Sequence, residues 1–308
     1  MSIQKVLEKN DLILTEAAVI EELRRSDEVD LHPRLENALL IYNMNGRRAL
    51  RNIYKGFISI AQKANIPINI CTPTWRANRE RVLEAHIKKD INGDSVKFLK
   101  DLGNEWGDFS LSISIGGLIG CKNDSYKPKE SLQQNDAYSF HSWQIEKLSK
   151  HGIDYLMAAT LPSVSEAVGI ALAMEKTKIP YFISFVINRV GKILDGSSLK
   201  IAFDQIDAKC TIPPLGYMVN CAYPSFLNLH EQPKCVIKRL IGFQGNSSSL
   251  DHEKLDGSSA LQSDPLEDWG DKMIELNKKY GLKILGGCCG TNINHLKYIA
   301  RSINQPVV

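Results

Sequence analysis

The chain has 308 residues, 43% hydrophobic and 24% charged, an ordinary globular make-up that excludes collagen, coiled coil and wholesale disorder. Its 38 Lys and Arg against 35 Asp and Glu leave a net charge of +3, too even to point to nucleic acid or an anionic membrane as partner. No apolar run approaches the length of about eighteen residues that a bilayer span requires.

In chain order, the first ten residues mix Lys5, Glu8 and Lys9 with apolar neighbours and lack the apolar stretch of a signal peptide, so the expectation is a cytoplasmic protein. Eight short apolar runs follow: Leu12–Leu14, Pro67–Cys71, Phe109–Ile115, Asp154–Ala158, Tyr181–Ile187, Leu215–Val219, Arg239–Phe243 and Lys283–Leu285. Their β-branched and aromatic content suits buried parallel strands. Gly120–Asn135 and Asn246–Ser263 are polar and predict long loops.

Helical patterns lie between the runs. Ala137–Lys150 is closed by Gly152. Ser163 with Glu166 forms a capping box ahead of Ala167, Val168, Ile170, Ala171 and Met174. Asp264, Pro265 and Glu267 open a helix in which Trp269, Met273, Leu276 and Tyr280 recur at helical spacing before Gly281. A last helix covers Asn292–Ile303. Strand–helix alternation repeated about eight times predicts an α/β fold, a (β/α)8 TIM barrel forming a single domain over residues 1–308. An open doubly wound sheet is the alternative, but no Gly-x-Gly-x-x-Gly follows the first strand.

Seven cysteines, at 71, 121, 210, 221, 235, 288 and 289, are an odd number, which favours free thiols, metal ligands or a nucleophile over disulfides. Gly286-Gly287-Cys288-Cys289-Gly290-Thr291 follows the last predicted strand, where barrel active sites lie. The glycines predict close approach of backbone to a metal, and the helix behind favours thiolate over thiol. Cys221 ends the sixth predicted strand. Three thiolates from two strand ends suit Zn2+, with a fourth position left for substrate. A structural zinc would need a fourth protein ligand; His295 is near in sequence but is expected to face its own helix core. Cys71, Cys121, Cys210 and Cys235 read as packing residues. Arg47, Arg48 and Arg51 read as a solvated helix face, and Trp75 and Arg76 as candidates for the pocket wall.

These motifs resemble the zinc-dependent homocysteine S-methyltransferase family. Gly-Gly-Cys-Cys-Gly-Thr, with Asn220-Cys221 earlier, carries the resemblance most specifically. Cys71-Thr72-Pro73-Thr74, Asp154 to Ala167, Ile183-Ser184-Phe185 and Leu194-Asp195-Gly196 extend it through nearly the whole chain. The resemblance implies zinc held by Cys221, Cys288 and Cys289, which also make the catalytic centre. It implies methyl transfer from an activated donor such as S-methylmethionine to a thiol, homocysteine by default, giving methionine. Glu16, in place of the family's Asp, and Thr72, where the family places a threonine, are expected to bind substrate; Ser184 and Asn220, at strand ends, join them as candidates that orient ligand or the zinc sulfurs. Two positions depart from the family. Thr15-Glu16-Ala17-Ala18 replaces Asp-Gly-Gly or Asp-Gly-Ala, and Ala159 stands where the family has the Glu that helps hold the amino group of homocysteine. Selectivity for an α-amino thiol is therefore expected to weaken unless Glu16 restores it. The alternatives are another methyl donor or thiol at the same zinc barrel, including a subunit served by a separate corrinoid protein, and a non-catalytic zinc- or thiol-binding barrel.

Overall fold

A computed structural model describes residues 2–251 and 262–303. Eight parallel strands close into a barrel in sequence order. They are β1 (Ile13–Thr15), β2 (Ile68–Cys71), β3 (Ile113–Ile119), β4 (Tyr155–Leu161), β5 (Tyr181–Phe185), β6 (Gly216–Ala222), β7 (Leu240–Gly245) and β8 (Ile284–Gly287). β1 pairs with β8 through Ile13↔Ile284 and Leu14↔Leu285, which completes the ring. The fold is the (β/α)8 TIM barrel expected from the sequence.

Two apolar layers hold it. Between strands and outer helices, Leu50, Phe57, Leu99, Leu148, Ile170 and Trp269 are among the residues almost wholly removed from water. Inside the barrel, Ile13, Tyr155, Phe182, Met218 and Ile284 pack with Ile3 and Val6 of the helix Ile3–Lys9. Lys283, just before β8, donates to the Leu7 carbonyl at 2.7 Å, so this helix closes the N-terminal end of the barrel. At the opposite end, where the strands finish, the described residues leave a cavity.

Three expectations need correction. Residues 104–112 form a 3-10 segment interrupted at Gly107, and the third strand runs Ile113–Ile119. Gly116 and Gly117 hid its second half, and at Gly116 a Cβ would lie 2.4 Å from the Tyr155 ring. β5 ends at Phe185, leaving Ile187 in an isolated bridge with Ile193. The Ser163–Glu166 capping box does not form. The loop after β5 supplies the cap, with the Val164 N–H donating to Asp195 Oδ2 at 2.7 Å. Glu166 is instead fully buried, accepting from the Lys122 and Leu132 N–H groups and pairing with His141 Nε2 at 2.9 Å. It thereby fastens the 120–135 loop, whose short helix is Pro128–Glu130. The other predicted loop, 246–263, lies partly outside the described residues.

The remaining helix signals are met. Leu266–Lys278 buries Trp269, Met273 and Leu276, and Gly281 adopts φ +75° beyond its end. Among the described residues no helix is long and apolar enough to cross a membrane.

Candidate metal centre and substrate cavity

Cys221 is the penultimate residue of β6, and Cys288 and Cys289 follow β8 directly. Their three Sγ atoms lie within 4.8 Å of one another, with Cys221 and Cys288 sulfurs 2.7 Å apart. β6 reaches this position through an irregularity in its pairing with β7 between Asn220 and Ala222, where Cys221 takes φ +53°. β4 is irregular opposite it, and Thr160 there takes φ +63°. A β-branched residue with positive φ is unfavourable and needs contacts to hold it. Asn220 provides them. Its Oδ1 accepts from the Thr160 N–H at 2.9 Å and from Ser184 Oγ at 2.7 Å. Its Nδ2 donates to Thr160 Oγ1 at 2.9 Å and to Cys221 Sγ at 3.3 Å.

The Cys288–Cys289 segment is fastened along its backbone. Gly287 N–H donates to the Glu16 carbonyl at 2.8 Å and Cys288 N–H to the Gly245 carbonyl at 2.7 Å. Ser247 N–H reaches the Cys289 carbonyl at 3.0 Å, and Thr291 Oγ1 donates to the Cys288 carbonyl at 2.6 Å. The glycines serve this packing. A Cβ on Gly287 would fall 2.0 Å from Thr291 Oγ1, and one on Gly290, at φ +79°, 2.0 Å from Ser247 Oγ.

The sulfurs titrate as one unit. Hydrogen bonding, from Cys221 first and Cys289 next, holds the Cys288 thiol well below its ordinary range. The same contacts, with burial, push Cys221 well above it. Sulfurs this close cannot all ionise unless a cation neutralises them, so the donor set fits a thiophilic metal ion. His295 is no part of it. Its ring packs edge-on against Trp269 at 4.8 Å, and among the described residues the group able to hold a metal consists of the three cysteines.

The cluster opens onto a cavity of about 700 Å³ at the C-terminal mouth. Glu16, Thr72, Ala159 and Asn220 line it, with Ala17 and Ala18 presenting methyl groups where glycines were missing from the motif. Glu16 accepts a hydrogen bond from the Cys71 N–H, and burial raises its carboxyl from the usual 4.5 to about 8. The Thr72 hydroxyl accepts from the Leu118 N–H at 3.0 Å and bonds Thr74 Oγ1 at 2.7 Å. Ser184 departs from expectation. It is fully buried behind Asn220 and does not line the cavity, because the Asn220 amide takes its hydroxyl.

Other residues sort by their contacts. Trp75 lines the cavity, whereas Arg76 turns away to the Cys121 and Asn123 carbonyls at 2.8 and 2.7 Å. Cys71 is buried but also lines the cavity, and Cys235 is exposed rather than packed. Arg48 and Arg51 make surface ion pairs with Glu28 and Glu105, and Arg47 lies over the Phe98 ring. Sequence reasoning missed Tyr126, which lines the cavity with the cysteines, and Glu21, whose carboxylate accepts from the Gly290 N–H. Neither position carries a local pattern: Tyr126 lies in the 120–135 loop and Glu21 on the short helix Val19–Arg24.

The homocysteine S-methyltransferase family model matches residues 13–303. The chain belongs to this family. Homocysteine S-methyltransferase 1 of Arabidopsis thaliana is 28% identical over 220 residues, 68% of this chain and 65% of that protein. The chain thus spans just under two thirds of that relative's length. Homocysteine S-methyltransferase YbgG of Bacillus subtilis is 22% identical over 315 residues, covering 97% of this chain and 96% of its own. The metallated form of the homocysteine methyltransferase MmuM from Escherichia coli superposes with a TM-score of 0.75 at 18% identity, over 97% of this chain and 99% of that one. At that identity the likeness is one of fold.

Proposed function

We propose that the protein transfers a methyl group from an activated, positively charged donor such as S-methylmethionine to a thiol, with homocysteine as acceptor and methionine as product. The observation that carries this reading is the set of three cysteine sulfurs, within 4.8 Å of one another, on the wall of a cavity large enough for two small molecules. Cys221, Cys288 and Cys289 would hold zinc, the usual occupant of an all-sulfur site with an open position. Zinc supplies a Lewis acid that keeps an incoming thiol deprotonated and nucleophilic at neutral pH. The seven unpaired cysteines suit a reducing compartment, in keeping with the cytoplasm.

The chain's own groups position the reactants. Asn220 donates to Cys221 Sγ while Thr160 and Ser184 fix its amide, which holds that sulfur in one orientation. Glu16 is the buried carboxylate of the cavity wall placed to take the acceptor's ammonium, the task Ala159 cannot perform. Thr72 and the walls around it exclude water and bring donor and acceptor into line. In the reaction as a whole, a carbon–sulfur bond forms to the acceptor, the methyl–sulfur bond of the donor breaks, and the thiol proton is released.

The test compares kcat/KM for homocysteine and for the same thiol without its amino group, with S-methylmethionine fixed. A charged hydrogen bond contributes about 1.5–3 kcal/mol, so Glu16→Gln should lower the homocysteine value about ten- to a hundredfold and leave the other thiol little changed. Adding Ala159→Glu to that variant should restore the preference. Equal kcat/KM for both thiols in the wild type would contradict Glu16 as the ammonium partner.

A further inference from the structure

Among the described residues, the peptide contacts that fix the Cys288–Cys289 segment come from backbone or from the segment's own threonine, with one exception. The Gly290 N–H, directly after Cys289, is taken by the side chain of Glu21, which sits on the short helix Val19–Arg24 following β1. The second oxygen of that carboxylate is not free to wander, since Arg25 binds Glu21 Oε1 at 3.0 Å. Glu21 lines the same cavity as the cysteines.

The neighbouring geometry makes this contact consequential. Gly290 adopts φ +79° and packs on Ser247, so the chain turns sharply immediately beyond Cys289. Cys289 is the most exposed of the three cysteines, whereas Cys221 is buried in its strand. Cys221 and Cys288 are therefore set by the barrel, and Cys289 by the turn. A carboxylate that accepts the Gly290 N–H while clamped by a guanidinium selects one direction for that turn. Residues that orient ligands in this way commonly change metal affinity by about 10- to 100-fold when removed.

We infer that Glu21 is a positioning residue for the metal centre, holding Cys289 in ligating geometry through the Gly290 N–H, with Arg25 as its clamp. The inference rests on the reading of the three cysteines as a metal site. It does not place Glu21 on the metal or on the substrate.

The experiment measures zinc affinity by chelator competition on the full chain. It also records the thiolate-to-metal charge-transfer band of the cobalt-substituted protein, for the wild type, Glu21→Leu and Glu21→Gln. Glu21→Leu should weaken zinc binding about 10- to 100-fold and reduce the band by the share of one thiolate, with the melting temperature of the metal-free protein unchanged. Glu21→Gln keeps an acceptor oxygen for Gly290 and should recover most of both signals. A wild type that binds no zinc would overturn the metal reading and this inference with it. A wild type that binds zinc tightly, with Glu21→Leu within twofold of it and an unaltered band, would overturn the inference alone. Equal weakening in both variants, together with early melting of both metal-free proteins, would also overturn it, since Glu21 would then be a support of the fold rather than of the site.

Discussion

Glu16 shows how burial alone changes what a residue offers. Inside the cavity wall its carboxyl rises from 4.5 to about 8, with burial the dominant cause and the Cys71 N–H partly opposing it. The folded state then holds a proton that the unfolded chain releases above pH 4.5, so ionisation of Glu16 works against folding. Stability of the metal-free, ligand-free protein should be unaffected by this group below about pH 4.5. It should fall as pH rises from there through about 8, by up to about 1.4 kcal/mol per unit of pH. Glu16→Gln should remove that slope, making the variant the more stable protein near pH 8 and no different near pH 4. Urea unfolding across this range checks it, and a parallel slope in both proteins would contradict it. Under the proposed role of Glu16, an ammonium in the cavity would reverse the balance by favouring the ionised form.

At the scale of elements, the strands were legible where β-branched and aromatic residues predominate, as in Tyr181–Phe185. Ile113–Ile119 was legible only in its first half, because Gly116 and Gly117 are poor strand formers needed for close packing with Tyr155, Ile153 and Leu148. The capping box failed because Glu166 serves the 120–135 loop and Asp195, thirty-one residues after Val164 in sequence, caps the helix instead. The cysteine pair was legible from its glycine frame, but the purpose of that frame was not. Gly290 is required by its φ of +79° and by Ser247 beside it. Gly290→Ala should therefore cost about 2–3 kcal/mol in urea unfolding of the metal-free protein and weaken zinc binding at the same time. A variant as stable as the wild type would show that the turn relaxes without strain.

For the molecule as a whole, the barrel separates support from chemistry. The helix Ile3–Lys9 closes one end with apolar side chains, while ends of β1, β2, β4, β6 and β8 bring Glu16, Thr72, Ala159, Cys221 and Cys288 to the other. Strand order made that meeting predictable from sequence, because every motif followed a predicted strand. The places of Glu21 and Tyr126 were not, since a short helix and a loop bring them to the mouth by paths that no local pattern fixes. The claim on which the rest depends is that Cys221, Cys288 and Cys289 hold a metal that takes the acceptor thiol. Homocysteine titrated into the cobalt-substituted protein tests it most directly, with the thiolate-to-metal charge-transfer band as signal and Cys288→Ala as control. The expected result is a saturable rise in the band on adding the thiol, and loss of both metal and response in the variant. Full metal occupancy in Cys288→Ala, or a wild-type band unmoved by saturating homocysteine, would contradict it.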